Sequence, residues 1–255
     1  MTTKRPSFMA RLQAAEDPPF FARPVALLIL AAYGVVWIAA LSVISVITGE
    51  INRAVPSPRV LALSGIVSAA VITIGIVQFA RRRMGAGWGT ALQVTHPTGR
   101  NTLLYIFLIG LGLAWSIDLL GVLLRLKGGQ VIPPVMDSLR EGNALAWLVA
   151  AVYAVFLQPL AESLVFAGIV YPTTARATGD TRFGIFSTAF LFLVVSLIMS
   201  PAPGTWYAAV QPFLMMIVVL CFRAYYQSTR AAVVARVAFG VFFILAAAFS
   251  GGFGG

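Results

Sequence analysis

Glu162 is the residue whose type and position could do chemistry. It lies within a long apolar run, residues 145–171, where a bilayer would be, and ionisable groups at membrane depth are rare and mark functional sites. Gln158 is four residues earlier and shares its helix face; Ser163 follows directly. Pro159 leaves the carbonyl of Val155 without an amide donor. A locally opened helix beside a carboxylate is one way to build a polar pocket within lipid. Such a carboxylate can act as a general base on a water, or it can anchor a cation. Asp118 and Arg236 are the other charges inside apolar runs, and Ser196 is a further polar residue at depth. A serine nucleophile would need a base to activate it, and no histidine lies at depth. The single histidine, His96, falls in a loop, which excludes a multi-histidine metal site within one chain; no metal and no cofactor are expected.

The elements that must position these residues are transmembrane helices. Of the 255 residues 60% are hydrophobic and 10% charged, against about 25% charged in soluble domains. The apolar runs are about 20 residues long, which suits helices rather than the shorter alternating strands of a barrel. The fold class is therefore all-α: a polytopic transmembrane helical bundle of about seven spans, at 24–48, 60–80, 103–126, 145–171, 183–199, 205–226 and 231–249. Residues 1–23 read as a basic tail, residues 24–144 as the N-terminal helices and loops, residues 145–249 as a core, and residues 250–255 as a flexible tail. The apolar run after residue 23 is too long for a signal peptide. Gly110, Gly112 and Gly121 mark close-packing points in the third span. Trp88, Leu92 and Val94 give a weak pattern for a surface-lying loop. Tyr105, Trp147, Tyr171, Trp206, Tyr207, Tyr225 and Tyr226 fall near span ends, as an interfacial belt requires.

The net charge of +10 reflects lipid-facing loops rather than nucleic-acid binding. Alternating spans put Lys4, Arg5, Arg11, Arg23, Arg81, Arg82, Arg83, Arg100, Arg176, Arg182, Arg223 and Arg230 on one side. Arg53, Arg59, Arg125, Lys127 and Arg140 fall on the other. The positive-inside rule then places the N-terminus in the cytoplasm and the C-terminus outside, in a plasma or inner membrane. Cys221 stands alone in an apolar run and has no partner for an intrachain disulfide. With the fourth span ending at Tyr171, Glu162 and Arg236 lie at depths of roughly 13 and 8 Å from the cytoplasmic side. Matched depth predicts an ion pair or a shared polar cluster. Asp118 is expected to serve structure, capping or bonding a neighbouring helix or pairing with Arg125.

The stretch Gln158-Pro-Leu-Ala-Glu-Ser-Leu-Val-Phe-Ala-Gly-Ile-Val-Tyr-Pro172 resembles the first motif of the CPBP intramembrane proteases, also called the Abi or CaaX-protease/bacteriocin-processing family. The resemblance covers about residues 145–245 and implies a CPBP-like core in the last four spans. In that family a Glu-Glu pair, three residues and then Arg lie within a helix. Phe-x-x-x-His follows in the next span, and His-x-x-x-Asn or Asp in the last. Glu162 matches the first Glu, which in the family activates the attacking water. Ser163 stands at the second Glu and Ala167 at the Arg. Phe192 is retained, with Ser196 in place of the first histidine. Arg236 falls at the second histidine and Gly240 at the Asn. A histidine exchanges protons near neutral pH and an arginine does not.

The resemblance therefore implies a CPBP-like membrane protein that has lost proteolysis. Its expected role is a binding or scaffold subunit for a membrane-protein partner or a larger membrane complex. Two other readings stay open: a divergent active peptidase using Glu162, and a proton-linked transporter using Asp118, Glu162 and Arg236.

Overall fold

The computed structural model describes residues 9–10, 21–53, 55–95, 98–127, 133, 144–200 and 205–252. Among these, all regular structure is helical. We number the long helices α1 (Arg23–Ile47), α2 (Pro58–Met84), α3 (Arg100–Leu123), α4 (144–178), α5 (Thr181–Met199), α6 (Val210–Tyr226) and α7 (Thr229–Gly252). Six of them are long and apolar enough to cross a membrane; α6 is apolar but shorter. The chain is thus an all-α polytopic bundle, with spans close to those expected. α7 continues to Gly252, into the stretch expected as a flexible tail. His96 and most of the N-terminal tail lie outside the described residues.

The sides of the bundle suit a lipid environment. Leu28, Val35 and Ile38 on α1, and Leu104, Leu108 and Trp115 on α3, point outward and are exposed. In water such a surface would drive association; in lipid it is the solvated face.

α4 is the central helix, and its hydrogen-bond ladder is irregular. Residues Val152–Leu157 and Ser163–Val170 are π-helical, separated by the α-helical turn Gln158–Glu162. Each π segment ends shortly before a proline, Pro159 or Pro172. Proline offers no amide to the carbonyl four residues back, and its ring crowds that carbonyl. A wider turn before it relieves the crowding without ending the helix. All eight residues of the second π segment are buried. Phe166 makes edge contacts with Phe192 of α5 at 4.8 Å and with Tyr33 of α1 at 6.0 Å.

Two close approaches set the register around this helix. A Cβ on Gly240 of α7 would fall on the carbonyl of Ala154, in the first π segment, so only glycine lets the two backbones meet there. Gly121 of α3 likewise receives the Trp206 ring and the Lys127 stem, and Gly110 meets Ala238. Gly112 faces open space, so only two of the three expected packing glycines pack.

The face that carries Arg81–Arg83 is built by interlocking loops. The segment after α2 packs partly into the bundle. It forms a short helical turn, Trp88–Ala91, and buries Leu92 completely. The carbonyls of Leu92 and Gln93 accept the Thr229 hydroxyl (2.6 Å) and amide (3.1 Å), fixing where α7 begins. α4 ends at Gly179, in the left-handed conformation (φ 69°) that favours glycine. Asp180 then caps α5 by accepting the Arg182 amide at 2.8 Å.

Candidate functional site

α4 and α7 bring Glu162 and Arg236 together. Nε of Arg236 donates to Oε2 of Glu162 at 2.6 Å. Nε2 of Gln158, one turn earlier on α4, donates to Oε1 at 2.7 Å. Both carboxylate oxygens are therefore engaged, and the paired side chains are 5% and 6% exposed. A buried charge pair at this distance stands only because each charge answers the other.

The ion pair forms as depth matching expected. α4 runs on past Tyr171 to Thr178, so Glu162 lies about 24 Å from the end of the helix. Its last turns belong to the arginine-bearing face, where the guanidinium of Arg23 donates to the Ala177 carbonyl. The two residues are level because α7 starts beside Gly168, with the Thr229 side chain 3.5 Å from the position of a Cβ there. From that point Glu162 is about 9 Å along α4 and Arg236 about 10 Å along α7.

The pair forms the floor of a cavity of about 160 Å³. Gln158, Glu162, Ser196 and Arg236 all line it. Tyr33 and Trp37 of α1 and Phe192 of α5 form apolar walls. The cavity reaches Leu61, near the start of α2, and Ser200, just after α5. It therefore runs from the pair toward the face opposite Arg81–Arg83.

Ser163 and Asp118 are not in this lining. The Ser163 hydroxyl is buried and has no hydrogen-bond partner among the described residues. Asp118 sits in a second polar cluster. Its Oδ1 is 2.8 Å from Nζ of Lys127, and its Oδ2 is 2.9 Å from the same nitrogen. The Tyr207 hydroxyl donates to Oδ1 at 3.1 Å. The partner is thus Lys127, not Arg125. Arg125 takes a left-handed conformation (φ 56°) where α3 ends. The chain then folds back, with the Lys127 amide bonding the Gly121 carbonyl, and this lays the lysine stem along α3 toward Asp118. Tyr207 also lines the cavity, so its ring stands between the two polar clusters.

Some positions read differently from the sequence. Arg223, counted with the basic loop residues, is fully buried. Its Nε donates to the Ala167 carbonyl at 3.1 Å, across to the second π segment, and its guanidinium lies 5.5 Å from the Tyr171 ring. The π turn exposes a carbonyl that an arginine on α6 satisfies. The signal available was Pro172, which disrupts the ladder just beyond. Tyr171, Trp206 and Tyr207, placed in an interfacial belt, are also buried; Tyr105 is exposed as expected.

Among the described residues no group of three or more His, Cys, Asp or Glu side chains is arranged to hold a metal ion. The chain matches no family model, no curated protein and no solved structure.

Proposed function

We propose that this chain is a CPBP-like membrane protein without proteolytic activity, whose intramembrane cavity serves to bind a membrane partner. The observation that carries this reading is the double engagement of Glu162. Its Oε1 accepts from Gln158 and its Oε2 from Arg236. A general base needs a lone pair directed at the proton it removes. Each oxygen keeps a second lone pair, but both are held by a hydrogen bond, and the stronger donor is a guanidinium that does not deprotonate near neutral pH. The geometry suits a fixed, charge-neutral floor better than a reacting group.

The remaining features fit the same role. Ser196 and Arg236 stand where the family's histidines would, and both line the cavity with Glu162. The arginine-bearing face is assigned to the cytoplasm, so the cavity would open toward the outer side. The partner is a membrane protein or a membrane complex that contains this chain as a subunit.

Purification in mild detergent followed by intact-complex mass measurement tests the reading. A stoichiometric partner is expected, lost when cavity-lining Trp37 is replaced by alanine. A chain that is always recovered alone would refute the scaffold role.

A further inference from the structure

One group in the cavity lining has hydrogen-bonding capacity that only an acceptor can meet. Arg236 makes one hydrogen bond among the described residues, through Nε. Its two terminal nitrogens have no partner there, although the residue is 95% buried and lines the cavity. The hydroxyls of Tyr33 and Tyr153 and of Ser196 also line it and make no hydrogen bond among the described residues. The Gln211 amide nitrogen reaches only the Met215 sulfur, at 3.9 Å, a weak acceptor. The strongest acceptor in the lining, the Glu162 carboxylate, is already engaged at both oxygens. The hydroxyls and the glutamine amides can each accept as well as donate, so the group in the lining that only an acceptor can satisfy is the Arg236 guanidinium.

Charge narrows the choice of ligand. The Glu162–Arg236 floor is neutral as a pair, so an anion seated on Arg236 would bring a second negative charge close to Glu162 in a low-dielectric site. A cation would be repelled by Arg236 and would leave its terminal N–H groups without an acceptor. An uncharged acceptor satisfies the free N–H and O–H groups without adding charge. Size narrows it further. A cavity near 150 Å³ admits a group of about benzene's size, whereas a helix is about 10 Å across. The head of a small molecule fits inside it, whereas a transmembrane helix of a protein partner can only pack across its mouth. The walls, Trp37, Phe192 and Phe243 among them, suit an apolar body.

We propose that the cavity is a binding site for the carbonyl head of an uncharged amphiphile, an ester or amide whose oxygen accepts from the Arg236 terminal nitrogens and from the Tyr33 or Tyr153 hydroxyl. This deepens the binding reading of the Glu162–Arg236 pair and rests on it. It adds a small-molecule ligand distinct from any protein partner.

The test is photolabelling of the purified full chain in detergent. Three probes share one diazirine-bearing alkyl chain: a methyl ester, a sulfonate and a quaternary ammonium. The ester is expected to label peptides that line the cavity, such as those containing Phe192 and Ser196, at least about fivefold more than either charged probe. Tyr33→Phe, which deletes one hydroxyl, is expected to weaken ester labelling by roughly threefold to tenfold. Glu162→Gln with Arg236→Gln keeps the floor neutral but removes the guanidinium, and is expected to weaken it by tenfold or more. Gel filtration confirms that each variant is folded. Equal labelling by all three heads overturns the proposal. So does labelling confined to the lipid-facing sides of α1 and α3, or ester labelling that is unchanged in both variants. Ester binding by a chain with no captured partner leaves this inference standing and removes the scaffold role; partner capture with head-independent labelling does the reverse.

Discussion

Replacing Arg236 by glutamine leaves Glu162 buried with only Gln158 as a donor. The carboxylate is 5% exposed, so it has little direct access to bulk water. Breaking a buried pair by removing one partner costs about 3–5 kcal/mol. Glu162→Gln strands the guanidinium in the same way, and a loss near the lower end of that range is expected. The double variant, with glutamine at both positions, buries no charge. It exchanges one charge-assisted bond for a neutral one and is expected to lose only about 1 kcal/mol. The coupling energy in the double-mutant cycle should therefore be at least about 3 kcal/mol, well above the ~0.5 kcal/mol within which independent sites add. Unfolding of the purified protein by titration with a denaturing detergent, followed by circular dichroism, gives the four stabilities. Two single variants that each lose under ~1 kcal/mol, or losses that simply add, would show that the side chains do not depend on one another as the 2.6 Å contact requires.

Three further outcomes are expected. Gly240→Ala forces a Cβ onto the Ala154 carbonyl and should cost about 3 kcal/mol or more, whereas Gly34→Ala, which meets nothing within 4 Å, should be neutral or stabilise by up to about 1 kcal/mol; thermal unfolding of both variants checks the contrast. Tyr207→Phe removes the hydroxyl that donates to Asp118 and should cost about 1.5 kcal/mol, read by the same unfolding assay, with no further loss when Asp118 is already alanine. In the loop before α2, the Ser57 backbone N–H, and then its hydroxyl, hold the Glu50 carboxyl below its ordinary value of 4.5. The stabilisation it gives is therefore present above that value and lost as pH falls below it. Ser57→Ala should move the Glu50 titration midpoint upward in an NMR titration.

The helices were legible in the sequence because length and apolarity alone decide what can cross a bilayer. The runs around residues 24–48 and 183–199 differ from α1 and α5 by a residue or two. The Glu162–Arg236 pair was legible for a related reason: two charges at matched levels in neighbouring apolar helices have no cheaper partner than each other. Gln158 followed from its four-residue spacing. What the sequence did not reveal depends on how the backbone departs from ideal helix. The π segments of α4 shift which carbonyls are bonded, and so they call Arg223 into the core to meet Ala167. Counting charges by loop assigns that arginine to the surface. The Lys127–Asp118 pair was missed because it depends on the reversal at Arg125, where a left-handed residue turns the chain back along α3. Helical periodicity cannot anticipate that step. The cavity was equally out of reach, since it is made by side chains from several helices meeting along the half of α4 remote from Arg81–Arg83.

The claim that Glu162 is a fixed element of a binding site, and not a base, is tested most directly by comparing the wild-type chain with Glu162→Gln in proteoliposomes. Both would be given a set of membrane-spanning and lipidated peptides, with products read by mass spectrometry. The expected result is the same peptide profile for both proteins, with no Glu162-dependent cleavage. Cleavage by the wild type that disappears in Glu162→Gln, while that variant remains folded, would contradict it.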